Sequence, residues 1–134
     1  NLVASTFHIV TDIERIGDHV ENIADLTLEK VGRKLKYSED ALKEIDYIYD
    51  QTIRALDITI DAYANENVEE AGIIYDIERK IDASQKEFRE NHIKRLSQGS
   101  CNAYDGAIFM DLLSNFERIG DHSTNIAESV MEVH

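Results

Sequence analysis

The chain has 134 residues, with no proline, no tryptophan and six glycines. That length supports one core of ordinary domain size, and the absence of the strongest helix breaker throughout points to long helices. Twenty-seven acids against fourteen bases leave a net charge of −13, which repels phosphate backbones, excludes nucleic acid as the natural partner and attracts cations.

Four helices follow in chain order. Ile9, Ile13, Ile16, Val20 and Ile23 alternate steps of four and three, the pattern of a packed seam. The first helix therefore runs to about Val31, with Gly32 and the cations Arg33, Lys34 and Lys36 at its C-terminal end. Ser38, followed by Glu39 and Asp40, caps a second helix that reaches about Ala64, and Leu42, Ile45, Tyr49, Leu56, Ile60 and Tyr63 form its seam. Asn67 with Glu70 resembles a capping box and opens a third helix, whose seam is Ile74, Ile77, Ile81, Phe88 and Leu96 and whose end is Gly99. The fourth starts near Asn102 and uses Ile108, Leu112, Phe116, Ile119, Ile126 and Val130. Tyr47, Tyr49, Tyr63 and Tyr75 fit these seams. Short turns make successive helices antiparallel neighbours, each about 40 Å long at 1.5 Å per residue. The expected fold is all-α: an elongated up-and-down antiparallel bundle of four long helices.

The string ERIGDH occurs twice, from Glu14 to His19 and from Glu117 to His122. Nine of the eleven positions from Glu14 to Ala24 recur at an offset of 103. Glu14 and Asp18 are four apart and share a helix face, as do Glu117 and Asp121. The third helix carries a similar pair, Glu78 and Asp82, with Asp76 just before it. Antiparallel packing of the third helix on the fourth brings Glu78, Asp82, Glu117 and Asp121 to one patch. Carboxylates about 4 Å apart repel by roughly 1 to 4 kcal/mol per pair at effective dielectric 80 to 20. Such a cluster either takes up protons or binds a hard cation. Acids at this spacing on an acidic protein usually form a solvated face. Duplication of the whole string lifts the two ERIGDH pairs above that reading, while Glu78 and Asp82 taken alone would not escape it.

Gly17 and Gly120 leave room for close approach of a helix, ion or water. Arg15 and Arg118 balance the acids or bind an anion. His19 and His122 are expected at the edge of the site or supporting its ligands, and Asn22 and Asn125 continue the acidic stripe, extended by Asp25 and Glu128. His8, His92 and His134 read as surface or packing residues. Cys101 can form no internal disulfide, fits a reducing compartment and reads as incidental. No run approaches the roughly 20 apolar residues of a membrane span. The chain opens on Asn1 in mid-pattern, as a piece of a longer protein would.

ERIGDH followed by two residues and Asn-Ile-Ala, twice about a hundred residues apart, resembles the PhoU family of phosphate-uptake regulators. Those proteins pair two three-helix repeats, with an E/DxxxD motif on the second and third helices of each. The resemblance implies that residues 1–32 are the last helix of repeat one and residues 38–134 a complete repeat two. It places metal ligands at Glu14, Asp18, Glu78, Asp82, Glu117 and Asp121, around multinuclear clusters of divalent or trivalent ions such as iron, zinc, manganese or magnesium. Glu14 and Asp18 then lack their facing motif, which upstream helices or a second chain would complete.

The histidine after each aspartate is most similar to PhoU domains at the C-terminus of bacterial sodium/phosphate cotransporters. That implies a non-catalytic regulatory domain at the cytoplasmic face of the plasma membrane. Its partners would be the transmembrane part of a phosphate transporter and a second copy in a homodimer. Two alternatives are a free-standing PhoU-type regulator and a carboxylate-bridged dimetal enzyme. Bundle oxidases of that last type use Glu-x-x-His, and no glutamate here is followed by histidine three residues on. A purely structural bundle is the remaining reading.

Overall fold

The computed structural model describes residues 2–133 and places them in four helices: α1 (Leu2–Gly32), α2 (Glu39–Asn65), α3 (Val68–Ser97) and α4 (Ala103–Val133). His134 lies outside the described residues. The helix starts obey the capping chemistry of their sequences. Ser38 Oγ accepts the Ala41 N–H at 3.1 Å, and Asn67 and Glu70 bond reciprocally at 3.1 and 3.2 Å. Asn102 and Asp105 repeat that arrangement at the start of α4, at 2.8 and 3.0 Å. Gly99 ends α3 in the left-handed region at φ 74°. After α1 it is Lys34, not Gly32, that takes the left-handed conformation, at φ 55°.

The elongated antiparallel bundle is present, but its helices do not all neighbour their successors. α4 packs against the other three, and α2 also packs against α3, whereas among the described residues α1 approaches only α4. The molecule is thus a three-helix bundle of α2, α3 and α4 with α1 laid along the remaining side of α4. Contacts fix the directions. His122 and His19 of one pair of helices meet Asp12 and Asn115, so α1 runs antiparallel to α4. Glu44 meets Asn91 and Arg95 while Tyr47, further along α2, meets the earlier Phe88, so α2 runs antiparallel to α3.

The core is formed by Ile48, Ile74, Ile77, Ile81, Phe109, Leu113 and Phe116 with small residues between them. The seams of α3 and α4 lie where their periodicity put them, and Ile108, Leu112, Phe116, Ile119, Ile126 and Val130 are all buried. The seams of α1 and α2 do not. On α1, Ile13 and Val20 are 55% and 50% exposed, and the face on α4 consists of Ile9, Asp12, Ile16, His19, Ile23 and Leu26. On α2 the buried face is Ala41, Glu44, Ile48, Thr52, Ala55, Thr59 and Ala62. Leu42, Tyr49, Ile60 and Tyr63 point outward, as do Tyr47 and Tyr75. Small side chains let helix backbones come closer together, so the alanine–threonine stripe wins the interior although the large residues carry the stronger hydrophobic signal.

This assignment is directly measurable. Ile48→Ala should cost about 2 to 5 kcal/mol in urea denaturation, as buried isoleucine truncations do. Ile60→Ala should stay within about 0.5 kcal/mol, as exposed positions do.

Candidate metal centre

α3 and α4 come unusually close where the acids lie. A Cβ added at Gly120 would stand 3.1 Å from Ile81 Cδ1, so the glycine permits the contact that aligns the two helices. Beside that contact, Glu78 and Asp82 of α3 meet Asp121 of α4. One ligand oxygen from each of these three carboxylates lies within 4.8 Å of the others. Glu117 sits one turn from Asp121 and feels both Asp121 and Asp82. Of the four acids expected at one patch, Glu78, Asp82 and Asp121 bring ligand oxygens together and Glu117 lies beside them.

Its electrostatics are those of crowded, partly desolvated like charges. Burial first, then repulsion and a proton-sharing hydrogen bond from Asp121, push Glu117 up to about 7. Glu78 is raised by burial and by Asp82, Asp121 and Glu128, against a hydrogen bond from Thr124. Asp82 is raised by burial and by Asp121. Each acid disfavours its neighbours' ionisation, which protons or a cation relieve. Oxygen-only donors at this spacing match the ligand preference of hard divalent ions.

Asp76 is not part of the cluster. It is exposed and ion-paired with Arg79 one turn along α3. Glu14 and Asp18 are exposed on the side of α1 turned away from α4. Gly17 faces open space there, with nothing within 4 Å of an added Cβ, in contrast to its counterpart Gly120.

The histidines lie on neither acid pair. His19 and His122 stack on each other across the α1–α4 contact, with ring centroids 5.7 Å apart. His19 Nδ1 bonds Asn115 Oδ1 at 2.9 Å, and His122 Nδ1 bonds Asp12 Oδ1 at 3.0 Å. Asn22 and Asn125 donate to the same two oxygens, at 3.3 and 3.4 Å. Every one of these residues maps onto its counterpart at the offset of 103, so α1 and α4 are related by a local two-fold axis passing between the histidine rings. The expectation that these histidines and asparagines edge the acid site is corrected: they hold the two copies of the motif together. The histidines lie about 100° round the helix from the aspartates and the asparagines about 40° round in the same sense, which turns both towards the other copy.

Sequence reasoning missed Asp12 and Asn115, seven residues before the histidines. The available signal was the offset, which pairs them as chemically similar carbonyl-bearing side chains. It also missed the buried network at the other end of the bundle. There His92 stacks on Phe109 with centroids 4.2 Å apart, and Arg95 bonds both His92 and Glu44. Cys101 Sγ lies 3.3 Å from His92 Nε2, so the cysteine is a packing partner of this network.

The raised acids make a stability prediction with a definite sign. A carboxyl whose folded pKa exceeds its unfolded value binds more protons when folded, so its contribution to stability declines as pH rises between the two, here from about 4.5 to about 7. Glu117→Gln should flatten this decline in metal-free protein. At pH 7.5 it should raise stability by about 1 kcal/mol after solvent screening, or about 4 °C in Tm by calorimetry.

The profile of the PhoU domain matches residues 1–27 and 45–130 of the chain. The chain is 29% identical over 122 residues to a phosphate-specific transport system accessory protein PhoU homolog of Thermotoga maritima, covering 91% of this chain and 52% of that protein. It is 28% identical over 129 residues to the corresponding homolog of Clostridium acetobutylicum, covering 96% of this chain and 58% of that protein. A putative inorganic phosphate export protein of Salmonella typhimurium is 21% identical over 131 residues, which are 96% of this chain and 24% of that protein. No solved structure matches the chain. The chain spans little more than half the length of the two accessory-protein relatives. With most of its length matched by the profile, the chain belongs to the PhoU domain family.

Proposed function

We propose that this chain is a non-catalytic, metal-binding regulatory module of phosphate transport, of the accessory-protein type. The observation that carries the metal reading is the meeting of Glu78, Asp82 and Asp121 across α3 and α4, with Glu117 beside them. A divalent ion held there would cancel the mutual repulsion of the acids and pin α3 to α4. The transport reading is supported by the accessory-protein relatives, whose names place them with phosphate-specific transport systems. They favour this reading over a cotransporter domain. The longer export-protein relative keeps the cotransporter context as the second reading, with the same module carried in a larger chain. A partner in the membrane part of a phosphate transport system, met at its cytoplasmic face, follows from either. A dimetal enzyme is disfavoured, because the acid group contains no histidine.

Residues 1–32 serve, in this proposal, as the last helix of a first repeat and residues 38–134 as the second. The local two-fold between α1 and α4 supports it, as does the greater length of the relatives. The same two-fold would place the missing helix pair on the outer face of α1, over Gly17, Glu14 and Asp18. Upstream helices are preferred to a homodimer as the way this second acid pair is completed.

Calorimetric titration of metal-stripped protein with Mn²⁺, Zn²⁺ and Mg²⁺ tests the site. At least one ion should bind and raise Tm, since a ligand of the folded state stabilises it. Glu78→Gln and Asp121→Asn should each weaken that binding by about tenfold or more, about 1.4 kcal/mol. Affinity should rise with pH through about 7, as the proton competing at Glu117 leaves. Unchanged affinity in both variants would remove the assignment. To test the repeat reading, Gly17→Ala should stabilise this chain by about 1 kcal/mol, the helix-propensity gain. In a longer chain carrying the upstream helices, that gain should be lost.

A further inference from the structure

The outer seam of α2 is only partly covered among the described residues, where Ile45 packs on the core and Tyr49 meets Phe116 edge-on with ring centroids 6.1 Å apart. Leu42, Ile45, Tyr49, Ile53, Leu56, Ile60 and Tyr63 recur at steps of three and four, the spacing of a helix-packing surface. The helix is held in the bundle by a different stripe, of alanine, threonine and isoleucine. Tyr49, Ile60 and Tyr63 are accordingly 50%, 63% and 56% exposed. Because α1 does not approach α2, the N-terminal part of the seam also forms one wall of a groove. Its other wall is Ile23, Thr27 and Lys30 of α1, and Leu112 and Phe116 of α4 line it as well. The groove volume is about 400 Å³.

We infer that this groove and the seam beyond it are a docking surface for a basic amphipathic helix of a partner protein. From Leu42 to Tyr63 the seam extends about 32 Å at 1.5 Å per residue, some six helical turns. Its apolar rows are spaced to receive side chains at i, i+3, i+4 and i+7 of a second helix. Charge selects the occupant. At about 100° per residue, Glu39, Asp46, Asp50, Asp57 and Asp61 line one flank of the seam. The bases on that side are Lys43, which is paired with Glu39, and Arg54. A partner helix with lysine or arginine beside its apolar stripe matches this flank. A second copy does not, because pairing two α2 helices would oppose acidic flanks on chains of net charge −13 each.

The probe is a synthetic 18-residue helical peptide with leucines at i, i+3, i+4 and i+7 and lysines elsewhere, followed by fluorescence anisotropy. A second peptide carries glutamate in place of lysine. The lysine peptide should bind the intact chain, and the glutamate peptide should bind at least about tenfold more weakly, about 1.4 kcal/mol. Tyr49→Ser with Ile60→Ser, checked for an unchanged helical circular-dichroism spectrum because Tyr49 also meets Phe116, should lose about tenfold or more in affinity for the lysine peptide. Phe7→Ser, on the outer face of α1, should lose nothing. Equal loss in both variants, or no loss in either, overturns the proposal, because attraction to net charge alone then explains the binding. It is equally overturned if sedimentation shows a dimer that Tyr49→Ser with Ile60→Ser dissolves, which makes a second copy the occupant. If a longer chain carrying the upstream repeat no longer binds the lysine peptide, the proposal is overturned, because that repeat is then the occupant. Failure of the peptide experiment leaves the metal titration untouched, since none of these residues belongs to the acid cluster.

Discussion

A helix that packs against three others must divide its circumference among them, and α4 does so with neighbouring residues of one short string. Gly120 and Asp121 turn to α3, His122 to α1, and Ser123 to α2, where Thr59 Oγ1 donates to the Ser123 carbonyl oxygen at 3.2 Å. Successive residues of an α-helix step round by about 100°, so consecutive positions face different partners. The close approach of α3 at Gly120 holds the acids of both helices at one level. The histidine contact holds α1 at a fixed register against the same helix. The acid site, the repeat interface and the core are thus parts of one packing problem centred on α4.

That division explains why a single repeated string carries two roles. Its glutamate and aspartate face away from the other copy of the string, while its histidine and the asparagine after it face towards that copy. On α4 the acids find Glu78 and Asp82. On α1 the corresponding acids are exposed beside Val10, Ile13 and Val20, a surface with the residues of a helix contact. The reciprocal bonds of His19 with Asn115 and of His122 with Asp12 are what two copies of one motif make when they meet about a two-fold axis. Among the side chains that make these bonds the copies differ at one point, Asp12 against Asn115, so only His122 faces a carboxylate.

Much of this was legible in the sequence. Proline-free length, the caps at Ser38 and Asn67, the start near Asn102, and the stops at Gly99 and near Gly32 mark the four helices to within a residue or two. The convergence of Glu78 and Asp82 on Glu117 and Asp121 follows from i, i+4 spacing and an antiparallel pair. Periodicity failed where a helix carries two apolar faces. On α2, Leu42, Tyr49, Ile60 and Tyr63 outweigh Ala41, Ala55 and Ala62 on any hydrophobicity count, yet the alanines permit the closer approach to α3 and α4. On α1 the expected seam straddled two faces, so Ile9 and Ile16 turn inward while Ile13 and Val20 turn out. The roles of the histidines were hidden for another reason. Spacing along one helix cannot show that the second copy of a motif is its own neighbour.

The account stands or falls on whether the acids of α3 and α4 hold an ion. The most direct measurement is anomalous diffraction from crystals grown with Mn²⁺. A peak between α3 and α4, with oxygens of Glu78, Asp82 and Asp121 in its coordination shell and Glu117 at or beside it, is the predicted result. Full occupancy of Mn²⁺ elsewhere, with these carboxylates left ion-free at saturating metal, would contradict it.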